Sequence, residues 1–191
     1  MGWLDSLLGR STPPEPDLDV LFAVPQATVS LQAAGYAPTG SGSVCFRDVD
    51  GVSDDRVVQE VREVIGTDAS TRVELSDDGR GFRWLTVHRD ASAVGSLVSD
   101  LHVANSSLAE AGYGSQLLCS TVLLTTPAGG SAALVYLFKQ GSFYPFVPLP
   151  GQRRDNAAEL ALRSLVEAEV PVEAQLERWL ALWGAPGLST D

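Results

Sequence analysis

The chain has two histidines and two cysteines, a small supply of nucleophiles and of bases that titrate near neutral pH. His88 falls at the end of a strand pattern. His102 falls beside the apolar stripe of a helical pattern. Neither stands in a Gly-x-Ser-x-Gly elbow, and each reads as a surface or edge residue. Cys45 and Cys119 are far apart in sequence, with no Cys-x-x-Cys or His-Glu-x-x-His pair to suggest a metal. In a reducing compartment each is expected to pack as a small apolar side chain. The alternative is a small-molecule-binding or hydrolytic enzyme whose site gathers His88, His102 or Cys119.

Other chemical signals are incomplete. The acidic run Asp48 to Asp55 suggests a calcium loop, but Val52 and Ser53 occupy the places that need a polar ligand and a glycine. It reads instead as an acidic loop that caps the next helix. Gly40-Ser41-Gly42 lacks a third glycine and precedes a strand, so it is not a dinucleotide motif. The single lysine, Lys139, precedes Gln140, so there is no P-loop. Arg153 and Arg154 could meet an anion but are expected to be solvated. No catalytic, metal or cofactor residue is assigned, and no cofactor is expected. The candidate partner-binding residues are apolar: Trp3, Leu4, Leu7 and Leu8 near the N-terminus, and Trp179 and Trp183 near the other end.

Composition bounds the partner. Of 191 residues 45% are hydrophobic, enough for a substantial core. The net charge is −11, from 13 basic and 24 acidic residues, and phosphate binding needs the opposite balance. Nucleic acid is therefore excluded as a partner. No apolar run is long enough to cross a bilayer as a helix, and the N-terminus lacks the features of a signal peptide. A cytoplasmic protein is expected, with at most peripheral membrane contact through residues 1–10.

The elements that position these residues follow from periodicity and breakers. Trp3, Leu4, Leu7 and Leu8 share one face of a short helix, and the Pro-rich run Ser11 to Pro16 follows it. Residues 1–16 thus form an amphipathic arm and linker, and 17–191 a single domain. Asp17 caps a short helix through Leu18, Leu21 and Phe22 that Pro25 ends or redirects. Residues 26–34 fit helix or strand equally, and Gly40 to Ser43 reads as a flexible turn before a strand at Val44 to Phe46. Ser53 caps a helix with Val57, Val58, Val61, Val64 and Ile65 on one face. A hairpin spans Thr71 to Val87, with Arg72, Glu74, Arg83 and Thr86 suggesting a wet sheet face. Asp90 caps the longest helical pattern, Ala91 to Glu110. Three strands follow, at Leu117 to Thr126, Ala132 to Lys139 and Phe143 to Val147. Two helices close the chain. The first has a capping box at Asn156 and Glu159, with Leu160, Leu165 and Val166 inward. The second starts at Pro171 and carries Leu176, Trp179, Leu180 and Trp183 on its stripe. The fold class is α+β, a mostly antiparallel sheet with helices packed against it.

One resemblance adds context. The Met1-Gly2-Trp3-Leu4-Asp5 opening, the Pro-rich break, Leu18 to Phe22, Pro38-Thr39-Gly40 to Val44-Cys45-Phe46, and Phe143-Tyr144-Pro145-Phe146-Val147-Pro148 resemble the PspA-associated family PspAB, found chiefly in actinobacteria. The resemblance implies an accessory protein of the phage-shock, or envelope-stress, system, with PspA or a related stress protein as partner and no enzymatic activity. The architecture is also similar to the type III secretion chaperone-like fold, including YbjN-type proteins, whose members bind other proteins and often form homodimers.

Overall fold

The computed structural model describes residues 16–47 and 55–188. The arm residues Trp3, Leu4, Leu7 and Leu8, the acidic loop up to Asp54 and the expected cap Ser53 lie outside the described residues. The elements in chain order are a 3-10 segment Leu18–Ala23, α1 (Val24–Ala33), β1 (Ala37–Arg47), α2 (Asp55–Ile65), β2 (Arg72–Asp77), β3 (Phe82–His88), α3 (Val94–Leu108), β4 (Leu117–Thr125), β5 (Ser131–Leu137), β6 (Ser142–Phe146), a small ribbon β7 (Pro148–Leu149) with β8 (Arg153–Arg154), and α4 (Asn156–Val166). The main sheet has the order β2-β3-β1-β4-β5-β6, and every neighbouring pair is antiparallel. The expected α+β class is what the chain adopts.

Alternation along the strands gives the sheet two faces. One carries Val44, Phe46, Leu85, Val87, Leu117, Leu124, Leu134, Tyr136 and Phe143, and is packed by the helices through Leu31, Val61, Leu97, Leu101 and Leu162. The other carries Cys45, Trp84, Cys119, Leu123, Val135, Tyr144 and Phe146. Its described cover is not a helix but the irregular C-terminal segment after α4, through Trp179, Ala185 and Leu188.

Several local expectations change. Residues 26–34 are helical, and Pro25 sits in the first turn of α1, where its missing N–H costs nothing, so it starts this helix. Gly40 to Ser43 is no turn but lies within β1. Gly40 has φ +77° at a register shift, and a Cβ there would lie 2.3 Å from the Arg89 carbonyl oxygen. A Cβ on Gly42 would meet the Thr121 carbonyl oxygen at 2.5 Å and Leu101 of α3 at 3.0 Å. The glycines let backbone and helix approach closely, which is packing rather than phosphate binding. Asp90 does not cap α3. Its carboxylate accepts from the Ser92 N–H at 2.9 Å, closing a turn ahead of the helix, whose N-cap is Ala93. Asp155 caps α4 by accepting from the Ala158 N–H at 3.0 Å, so there is no capping box at Asn156. Val64 and Leu160 are exposed rather than inward. Thr86 is buried, joined to Ser43 Oγ at 3.0 Å, and Arg83 is half-buried, whereas Arg72 and Glu74 on the outer strand β2 are exposed.

The largest difference is the last expected helix. From Pro171 on, the backbone pairs instead with β6. The Phe143 N–H donates to the Pro171 carbonyl at 2.7 Å, and the Glu173 N–H donates to the Phe143 carbonyl at 2.7 Å. Beyond this, only Leu176–Arg178 makes a single 3-10 turn. The β-branched Val170 and Val172 around Pro171 suit an extended chain, and the sheet edge supplies the partners.

Candidate functional site

The C-terminal segment is held on the sheet by two buried carboxylates. Glu159 accepts from the Val147 N–H at 3.0 Å and from Arg154 Nε at 2.9 Å. Arg154 also donates to the Trp179 carbonyl and lies 5.2 Å over the Phe146 ring. The expectation that Arg154 is solvated therefore fails: it is the fastener between α4, the sheet and the tail. Glu173 accepts from the Gln175 N–H at 2.8 Å, from Ser142 Oγ at 3.1 Å and from Arg178 at 3.4 Å. Its own carbonyl accepts from Trp179 Nε1 at 3.0 Å. Burial pushes the Glu173 carboxyl upward, but these donors outweigh it and hold the group below the usual carboxylate range.

The fastened segment covers only part of the face. Trp179 is buried and stacks on Tyr144 with ring centroids 6.0 Å apart, and the Tyr144 hydroxyl donates to the Leu180 carbonyl at 2.9 Å. Trp183 meets Phe146 edge-on at 5.1 Å and stays half-buried. Leu180 is 58% exposed. The two candidate tryptophans thus come together on one surface, as i, i+4 spacing suggested, but without the helix that motivated it.

Between this segment and the β2–β3 turn the sheet face is open. A pocket of about 370 Å³ is floored by Cys45, Cys119 and Leu137 and walled by Phe82, Trp84, Leu118, Tyr144 and Trp183. Asp78, Arg80, Lys139 and Gln140 form its polar rim. The two cysteines are direct cross-strand partners on β1 and β4, both buried and free. Their mutual thiol contact, and then burial, push the Cys45 thiol upward, so it stays protonated at neutral pH. The pocket floor is therefore apolar in character, with the Cys45 thiol in its neutral form. Their sequence separation concealed this pairing, and only the strand register reveals it.

The residues considered for an enzyme do not converge. His102 is on α3, on the opposite side of the sheet from Cys119, with its ring 4.9 Å from Phe22 and its Nε2 3.3 Å from Asp19. His88 lies on the β3 residue paired with Ser41, four residues along β1 from Cys45, about 13 Å away. Its Nδ1 is 2.9 Å from Ser41 Oγ, a contact that sequence spacing did not reveal. On the other side of the ring Glu74 is 3.7 Å from Nε2, and it also pairs with Arg72 at 3.2 Å. Among the described residues no group of three His, Cys, Asp or Glu is arranged to hold a metal, and no helix is long and apolar enough to cross a membrane.

Comparison with known families decides the context. The family model of PspA associated protein B matches residues 1–187. The chain belongs to that family. The match spans the arm, the sheet, both buried carboxylates and the tryptophan segment. It bears out the resemblance read from the opening and from the Phe143 to Pro148 run. No curated protein and no solved structure matches the chain. The family is described by association with PspA and is not a known enzyme family, in keeping with an accessory role linked to PspA.

Proposed function

We propose that the chain is a non-enzymatic, chaperone-like accessory protein that holds PspA, or a related stress protein, on the half-covered face of its sheet. In this reading it works in the cytoplasm during envelope stress, touching the membrane at most through residues 1–10. The observation that carries it is the aromatic pocket: Phe82, Trp84, Tyr144 and Trp183 around an apolar floor, bordered by the exposed Leu180, in a chain of the PspA-associated family. Exposed aromatic and aliphatic groups around a cavity are the usual anchors of a protein interface. The overall charge of −11 favours a protein partner over an anionic lipid surface.

Affinity capture of the tagged chain from its native host under membrane stress tests this. PspA should be retained by the unaltered chain. The double variant Leu180→Asp, Trp183→Ser should lose it by roughly 30-fold or more, since one well-packed aromatic anchor contributes about 2 kcal/mol or more. Capture of no PspA, or equal capture by the variant, would show that the face has another use.

A further inference from the structure

The described chain begins close to the pocket. The Tyr136 hydroxyl donates to the Asp17 carbonyl at 2.8 Å, and Asp17 packs against the β5–β6 turn, its Cβ 3.8 Å from where a Cβ on Gly141 would be. Lys139 and Gln140 of that same turn are on the pocket rim. The described chain thus begins, at Pro16 and Asp17, at the end of the sheet where the pocket opens.

Length and chemistry match as well. The linker Ser11 to Pro16 (STPPEP), extended as its prolines favour, reaches about 19 Å, enough to round the end of a sheet about 10 Å from its packed layers. Ten residues of helix measure about 15 Å. The pocket runs from β3 across β1 and β4 to β5, three strand spacings or about 14 Å. One helical face of the arm would present Trp3, Leu4, Leu7 and Leu8 to a floor and walls that are thiol, aliphatic and aromatic. The rim carries charges of both signs, Asp78 with Arg80 and Lys139, and the arm carries Asp5 and Arg10.

We propose that residues 1–10 of the same chain dock as an amphipathic helix in the pocket between Phe82, Trp84 and Trp183, so that the protein alone fills its aromatic face with its own arm. This goes beyond the PspA reading: the arm takes the same face, so a protein partner displaces it there, while the arm's seat is a property of the isolated protein.

The test uses the full chain. A photo-crosslinking benzoylphenylalanine replaces Trp3, and the irradiated protein is mapped by mass spectrometry after mixing isotopically light and heavy chains. Crosslinks within one chain to the segments holding Phe82 and Trp84, Leu118 and Cys119, or Leu180 to Trp183 are expected. Crosslinks elsewhere, or only between light and heavy chains, would overturn the proposal, the latter in favour of a second copy. The cysteines at the floor give an independent readout. In Leu4→Asp, Leu7→Asp their reaction with monobromobimane should speed up about ten-fold, corresponding to ~1.4 kcal/mol of docking free energy. The denaturation midpoint should fall by no more than the equivalent of that docking free energy, because the arm binds the folded domain alone. An unchanged thiol rate would also overturn the proposal. Neither readout involves PspA, so failure here and failure of PspA capture are distinguishable.

Discussion

At the scale of single residues, the decisive positions are those where a backbone or a charge has no alternative. Gly42 sits where β1 meets both the β4 backbone and Leu101 of α3. Substitution Gly42→Ala is expected to destabilise the protein by about 2 kcal/mol or more, because one of the two contacts under the added methyl is backbone and cannot rotate away. Urea denaturation with an unchanged m-value would measure it, and a variant as stable as the parent would contradict the close approach. Arg154 and Glu159 show the second kind of constraint. A carboxylate that is only 3% exposed is tolerable because Arg154 and the Val147 N–H satisfy it. Nothing in the local sequence distinguishes Glu159 from a solvated helix residue, so a capping role was the reasonable expectation and the wrong one.

At the scale of elements, the segment from Pro171 to Leu188 behaves as a strap rather than a helix. It leaves the β6 edge at Glu173, turns at Leu176–Arg178 and lies over Tyr144 and Phe146 through its two tryptophans. Its anchor carries a pH dependence whose sign follows from Glu173. The folded carboxyl is held below the ordinary range, which for an unfolded glutamate is about 4.3. The stabilisation is therefore fully present above that value and is lost as pH falls through the folded value. Below about pH 4 the strap should loosen ahead of global unfolding, seen as a red shift of tryptophan emission while far-ultraviolet dichroism holds. Glu173→Gln should abolish that acid step. If the step persists in the variant, another group controls it.

At the scale of the whole molecule, the two sides of the sheet differ in how they are covered. The helical side is a continuous apolar core reaching from Leu21 to Val170, with Leu97, Leu101 and Leu108 wholly buried. The other side depends on one irregular segment and leaves a pocket beside it. Hydrogen exchange should separate them: amides of 173–188 exchange well before those of β1 and β4 at the sheet centre. Simultaneous exchange of both would mean that strap and sheet open as one unit. The uneven cover also gives the molecule a pre-formed apolar surface without requiring its core to open.

The sequence by itself determined the α+β class, the hairpin, the three consecutive antiparallel strands and the long helix around Val94 to Leu108. Alternation and helical periods are local signals with strong breakers between them, and the family membership was legible in short apolar and proline-rich runs. Tertiary structure alone decided that Gly40 to Ser43 is strand, that Cys45 faces Cys119, that Ser41 meets His88, and that Trp179 and Trp183 sit on a strap. Each of these depends on a partner tens of residues away: the register of β1 on β3 and β4, and the free edge of β6. Helical spacing and a pinned, extended segment can place the same tryptophans on the same surface. Only the hydrogen bonds offered by Phe143, Arg154 and Glu173 distinguish them.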